Sequence, residues 1–93
     1  MRIRLEEGFL YELEKQLEYI AKDKPKAARK FKSELIKNIK KDLKIPFQFK
    51  KSKYFTDECI REYIFKGYSI IYLVDLDTEI ISVFGFIKYK NTL

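Results

Sequence analysis

The sequence predicts an α+β domain of order β-α-α-β-β-β, an antiparallel sheet covered on one face by a helical hairpin. Three observations carry that expectation. Through the first half of the chain, apolar residues such as Phe9, Leu13 and Leu17, then Phe31, Leu35 and Ile39, recur at helical spacing. From about residue 59 the apolar period drops to two. Two short turn signals, Lys66-Gly67 and Asp75-Leu76-Asp77-Thr78, divide that second half into three strands. Strands joined by turns this short pair antiparallel as a meander.

The elements follow in order. Residues 2–5 alternate charged and apolar side chains, which suits a short edge strand. A first helix is expected over 9–22, with Phe9, Leu10, Leu13, Leu17, Ile20 and Ala21 as its apolar stripe. Glu6, Glu7 and Glu12 suit the positive end of its dipole and Lys22 the negative end. Asp23-Lys24-Pro25 interrupts the pattern, and Pro25 is well placed at the first position of a new helix. That helix is expected over 25–44, with Ala28, Phe31, Leu35, Ile36, Ile39 and Leu43 as its stripe. A connection this short folds the two helices back on each other. Ile45-Pro46 stops the second helix, because the residue before a proline avoids helical geometry.

Residues 47–55 read as a loop or a poorly defined strand. Beyond them Cys59, Arg61, Tyr63 and Phe65 alternate with Ile60, Glu62 and Ile64. A strand over 69–75 places Ile70, Tyr72 and Val74 on one face. A last strand over 79–89 places Ile81, Val83, Gly85 and Ile87 on one face and Ile80, Phe84 and Phe86 on the other. Both of its faces are apolar, so it belongs in the interior of the sheet.

Composition narrows the function. With 93 residues, the chain has room for a single domain over 1–93. Hydrophobic residues are 46% and charged residues 37%, enough for a compact core under a charged skin. There is no His, which removes Ser-His-Asp and Cys-His catalysis and His-based zinc or haem ligation. The one Cys, Cys59, can neither staple the fold nor complete a Cys-based zinc site, and it reads as a small packing residue. Loop carboxylates such as Asp57-Glu58 and Asp75/Asp77 lack metal-ligand spacing, so no metal or cofactor is expected. No apolar run is long enough for a signal peptide or a membrane span, so a cytoplasmic protein without a membrane partner is expected.

The charge is uneven. The chain carries a net +6, yet residues 22–53 hold thirteen basic side chains against three acidic ones, a local +10, while both flanks are net negative. Such a concentration attracts phosphates or an acidic protein segment.

Three stretches resemble a known family. Leu17-Glu18-Tyr19-Ile20-Ala21 followed by Pro25-Lys26-Ala27-Ala28 and Phe31 is similar to the helical-hairpin signature of the RelE/ParE superfamily. That superfamily holds the toxins of bacterial type II toxin–antitoxin modules. Arg61-Glu62-Tyr63 with Gly67-Tyr68, Ile70 and Tyr72 resembles its strand pair, and the closing strand from Ile80 to Lys90 matches in position. The resemblance covers nearly the whole chain. It implies a growth-arresting, plasmid-stabilising toxin that acts on mRNA at the ribosome or on DNA gyrase, neutralised by a cognate acidic antitoxin. No small-molecule cofactor is implied.

RNA cleavage by the 2′-hydroxyl needs a base, an acid and cations around the charged phosphorane. In the ribonuclease members Lys and Arg on the sheet, with a basic or aromatic C-terminal residue, supply them. Aligned on Gly67-Tyr68, this chain has Ser69 where the family usually has Arg, and Ile60 and Glu62 where paired Lys stand. Tyr89 falls near the Arg of the last strand, and Lys88 falls where several members have His. The candidates that remain are Arg61, Lys88 and Tyr89 for catalysis. Lys50, Lys51, Lys53, Lys66 and Lys90 remain for holding nucleic acid or another target. Arg61 either points into a concave sheet face or pairs with Glu62 or Asp57 as an exposed strand residue. The missing Lys/Arg set leaves a second class open, a non-catalytic basic domain that binds nucleic acid or protein. Either way, the expected working surface is a positively lined hollow on the sheet.

Overall fold

The computed structural model describes residues 1–88. Tyr89 and Lys90, two of the candidate site residues, lie outside the described residues. The elements are β1 (Arg2–Leu5), α1 (Glu7–Asp23), α2 (Pro25–Asp42), a single 3-10 turn (Pro46–Gln48), β2 (Ile60–Phe65), β3 (Tyr68–Asp75) and β4 (Ile80–Lys88). The predicted order β-α-α-β-β-β is therefore the order of the fold.

One residue, Lys24, separates the helices. Its N–H donates to the Ile20 carbonyl at 2.9 Å and closes α1, and Pro25 then opens α2 at a position where its missing N–H costs nothing. α2 stops at Asp42, two residues short of the expected end, with Leu43 as its buried cap. The stripes predicted from spacing face inward, except for Leu10, which is exposed one position beyond Phe9 on α1. Phe9 and Leu13 of α1, and Leu35 and Ile39 of α2, are fully buried. At roughly 1.5–3 kcal/mol per buried large apolar side chain, this stripe contributes far more than helix propensity does.

The strand order is β1-β4-β3-β2. β2, β3 and β4 form the expected antiparallel meander. Lys66-Gly67 makes its first turn with φ of +46° and +84°, the paired positive angles that a two-residue hairpin requires. β1 takes the edge position beyond β4 and runs parallel to it, with Arg2 opposite Ile80 and Leu5 opposite Val83. The sheet is thus mixed. The helical hairpin covers one face. α1 packs over β4 through Phe9 and Phe86, whose ring centroids are 5.9 Å apart. α2 packs over β2 and β3 through Phe31, which meets Phe65 and Tyr68 edge-on.

β4 departs from strict alternation. The register slips between Ile71 and Tyr72, so Ile71 faces Gly85, Tyr72 faces Val83, and Phe84 is the extra residue. This β-bulge reverses the phase of the strand. Phe86, expected opposite Ile81 and Val83, instead joins them on the helical side. Gly85 sits at the tightest point, where an added Cβ would lie 2.9 Å from the Ile71 Cβ.

Residues 47–55 are a loop with a defined path. Lys51 bridges Arg61, while the N–H of Ser52 donates to the Ile60 carbonyl and the N–H of Glu62 to the Lys50 carbonyl, each at 3.0 Å. The loop thereby covers the free edge of β2. It then sends Phe55 across to Phe84 of β4, with ring centroids 5.6 Å apart, on the face away from the helices.

Candidate functional site

Arg61 lies on the helical side of β2, level with Tyr72. Its Nε donates to the Glu58 carbonyl at 2.8 Å. Its Nη1 donates to the carbonyls of Phe49 at 3.0 Å and Phe47 at 3.5 Å. The guanidinium also sits 4.9 Å from the centre of the Phe47 ring. A planar fork of N–H groups suits this work, because it can tie several carbonyls at once. Two neighbours hold the same segment. The Tyr72 hydroxyl donates to the Pro46 carbonyl at 2.5 Å, and the Tyr63 hydroxyl donates to the Asp42 carboxylate. Burial pushes both phenols well above the ordinary tyrosine range. The Asp42 carboxylate adds to the rise at Tyr63, and the Arg61 charge opposes it at Tyr72. Arg61, Tyr63 and Tyr72 together fasten the stretch after α2 onto the sheet.

On the opposite face lies a polar cluster that pattern alone did not reveal. The Glu62 side chain is fully buried. Its carboxyl oxygens accept from Ser69 Oγ at 3.1 Å and Ser52 Oγ at 3.4 Å, and Lys50 Nζ stands 3.7 Å away. Ser52 and Ser69 are themselves buried, at 3% and 0% exposure. Glu62 and Ser69 are two of the positions where the resemblance led to an expectation of Lys and Arg. Here they bond to each other, and the loop carrying Ser52 closes over them. A hydrogen-bonded cluster internal to the protein therefore stands where a positively lined hollow was expected.

The remaining candidate cations are distributed. Lys66 Nζ holds a Glu34 carboxylate oxygen of α2 at 2.5 Å, and this bond is the main reason the Glu34 carboxyl lies below its ordinary range. Lys51 stands 3.6 Å from Glu58, and Lys53 lies over the Tyr54 ring. Lys88 is exposed at the end of β4, opposite Tyr68. It borders a groove of about 270 Å³ with Glu12, Lys15, Gln16, Tyr19, Tyr68 and Phe86. Tyr68 and Phe86 are stacked there at 4.7 Å, and burial raises the Tyr68 phenol. Tyr68 belongs to the buried core. Its place in this groove follows from its cross-strand pairing with Lys88, which spacing along one strand does not show.

Arg61 and Lys88 are not brought together. Their register positions differ by four residues along the sheet, roughly 13 Å, and by two strand spacings across it. Among the described residues, no group of three or more acidic or Cys side chains is placed to hold a metal ion. No helix among them is long and apolar enough to cross a membrane.

Residues 3–90 match the family profile of the ParE toxin of type II toxin–antitoxin systems, parDE. The chain belongs to the ParE toxin family. Searches of curated proteins and of solved structures gave no match. Membership makes this ParE-family chain a type II toxin, whose partner is an antitoxin. It also accounts for the two-helix clamp over a meander, which the order of elements had predicted.

Proposed function

We propose that this ParE-family toxin arrests growth by binding and blocking DNA gyrase rather than by cutting RNA. In this reading a cognate acidic antitoxin neutralises it in the cytoplasm. The observation that carries the choice is the use of Arg61. A guanidinium committed to three backbone carbonyls and an aromatic ring has little left to offer a phosphorane. The Glu62–Ser69 contact supports the same reading, since a buried carboxyl stands where a phosphate-binding cation would be needed. A basic surface with net charge +6 suits an acidic antitoxin that orders on binding.

Inducible expression in a bacterial host tests this reading. Growth should stop, plasmid supercoiling should be lost at equimolar toxin and purified gyrase, and mRNA should stay intact. Rapid mRNA cleavage with normal supercoiling refutes it.

One observation favours a competing reading. Lys88 is exposed beside a groove bordered by Lys15 and Tyr19, where a cation and a phenol could meet a nucleotide. If RNA is cut, Lys88→Ala and Tyr89→Phe should stop mRNA loss while the melting temperature stays unchanged.

A further inference from the structure

The outward face of α2 carries more positive charge than the carboxylates around it answer among the described residues. A helix turns about 100° per residue. Phe31, Leu35 and Ile39 therefore lie on one side, and Lys26, Arg29, Lys30, Lys37, Lys40 and Lys41 on the other. The two acidic residues of α2 lean toward the sheet. Glu34 is taken by Lys66 of the β2–β3 turn, and Asp42 by the hydroxyl of Tyr63. Lys30 and Lys41 stand 3.9 Å from these same carboxylates. Among the described residues, Lys26, Arg29, Lys37 and Lys40 form no ion pair within 4 Å, although Lys37 lies near enough to Glu34 to help hold its carboxyl below the ordinary range. They are spread over roughly 21 Å of helix axis.

We propose that this face of α2 binds the phosphate backbone of a nucleic-acid duplex, separately from the toxin's action on its target. Two features select a duplex. Protein interfaces are built around an apolar, aromatic-rich core that is depleted in Lys. The trough along α2 between Arg29 and Lys40 has only Ile36 as an apolar residue, and Ile36 is half-buried. Single strands are held by stacking on aromatic side chains. The outward positions of α2 hold none. A straight row of exposed cations is instead what phosphate contacts use, to position without reading sequence.

Fluorescence anisotropy tests the proposal with labelled 20-bp duplexes of DNA and of RNA, titrated from 50 to 200 mM salt. Binding that weakens steeply with salt is expected, and either duplex satisfies it. The Lys26→Gln/Arg29→Gln/Lys37→Gln/Lys40→Gln variant should show a log–log salt slope shallower by about 3.6, equal to about 150-fold less loss over that range. All four side chains are exposed and Gln is a good helix former, so the far-UV spectrum and melting temperature should hold. Arg2→Gln/Arg4→Gln, at the far edge of the sheet, should leave the slope unchanged. Absence of duplex binding at 50 mM salt would overturn the proposal. So would a quadruple variant that binds like wild type, or an equal loss per charge from the Arg2/Arg4 variant. Tighter binding of a single strand or of poly-glutamate through the same four residues would overturn it as well.

Discussion

Replacing Glu62 by Ala should cost this protein a large share of its stability. The side chain is fully buried and accepts from two buried serine hydroxyls, with Lys50 alongside. The truncation leaves Ser52 and Ser69 without their acceptor, at about 1–3 kcal/mol for each buried unsatisfied group. The void vacated by the side chain adds to this. Lys50, whose side chain is 59% exposed, passes to solvent and adds little, so the two unmet hydroxyls and the void set a loss of about 3–5 kcal/mol overall. A domain of this size has a total of roughly 5–14 kcal/mol to lose. At about 4–8 °C per kcal/mol, the melting temperature should fall by roughly 12–40 °C. The loss should be visible locally too, because the loop around Ser52 is held over the sheet by these bonds. Trypsin should cut at Lys50, Lys51 and Lys53 under conditions that spare the wild type. Glu62→Gln keeps an acceptor for one serine, while the other hydroxyl can turn to accept from the new amide N–H, so the change should cost only about 1 kcal/mol. Calorimetry, urea unfolding and timed proteolysis measure all of this. A Glu62→Ala protein that melts within about 3 °C of wild type and resists trypsin would refute the argument.

Gly85→Ala places a Cβ 2.9 Å from the Ile71 Cβ at the bulge, and urea unfolding should show a loss of about 1–3 kcal/mol. Arg61→Ala frees three carbonyls and should destabilise by about 2 kcal/mol. Its growth arrest should fall only as far as its folded fraction in the cell falls, and Arg61→Lys should not restore stability. The phenols of Tyr63 and Tyr72 are raised above their unfolded value near 10, so the native state keeps protons that the unfolded chain releases. Stability is fully present below pH 10 and should decline above it, as urea midpoints at pH 8 and pH 11 can show. Tyr63→Phe/Tyr72→Phe should flatten that decline.

The helices were legible because their stripes are long and regular, and because Pro25 and Pro46 punctuate them without ambiguity. The meander was legible from its two turns. The orientation of β1 was not, since four alternating residues pair equally well either way and the choice is made by β4, at the far end of the chain. The phase of β4 failed at the bulge. An isolated glycine inside a strand, Gly85, was the one local signal for it. For the site, the residue types were visible but their partners were not. Arg61 on a strand looks like a free cation until the carbonyls of Phe47 and Phe49 arrive from a loop more than ten residues away. Glu62 among Ile60, Tyr63 and Ile64 looks like a surface acid until Ser52 and Ser69 close around it. Long-range hydrogen bonds leave no period in a sequence.

The parallel pairing of β1 with β4 also sets a timetable. Arg4 finds Ser82 across 78 residues of chain. At a synthesis rate of about 5–20 residues per second, some 4–16 s separate the appearance of the two ends of that contact. Through that interval the first strand waits without a neighbour, because β4 has not yet been made. The toxin's sheet therefore stays incomplete until β4, the last of the described strands, has been made.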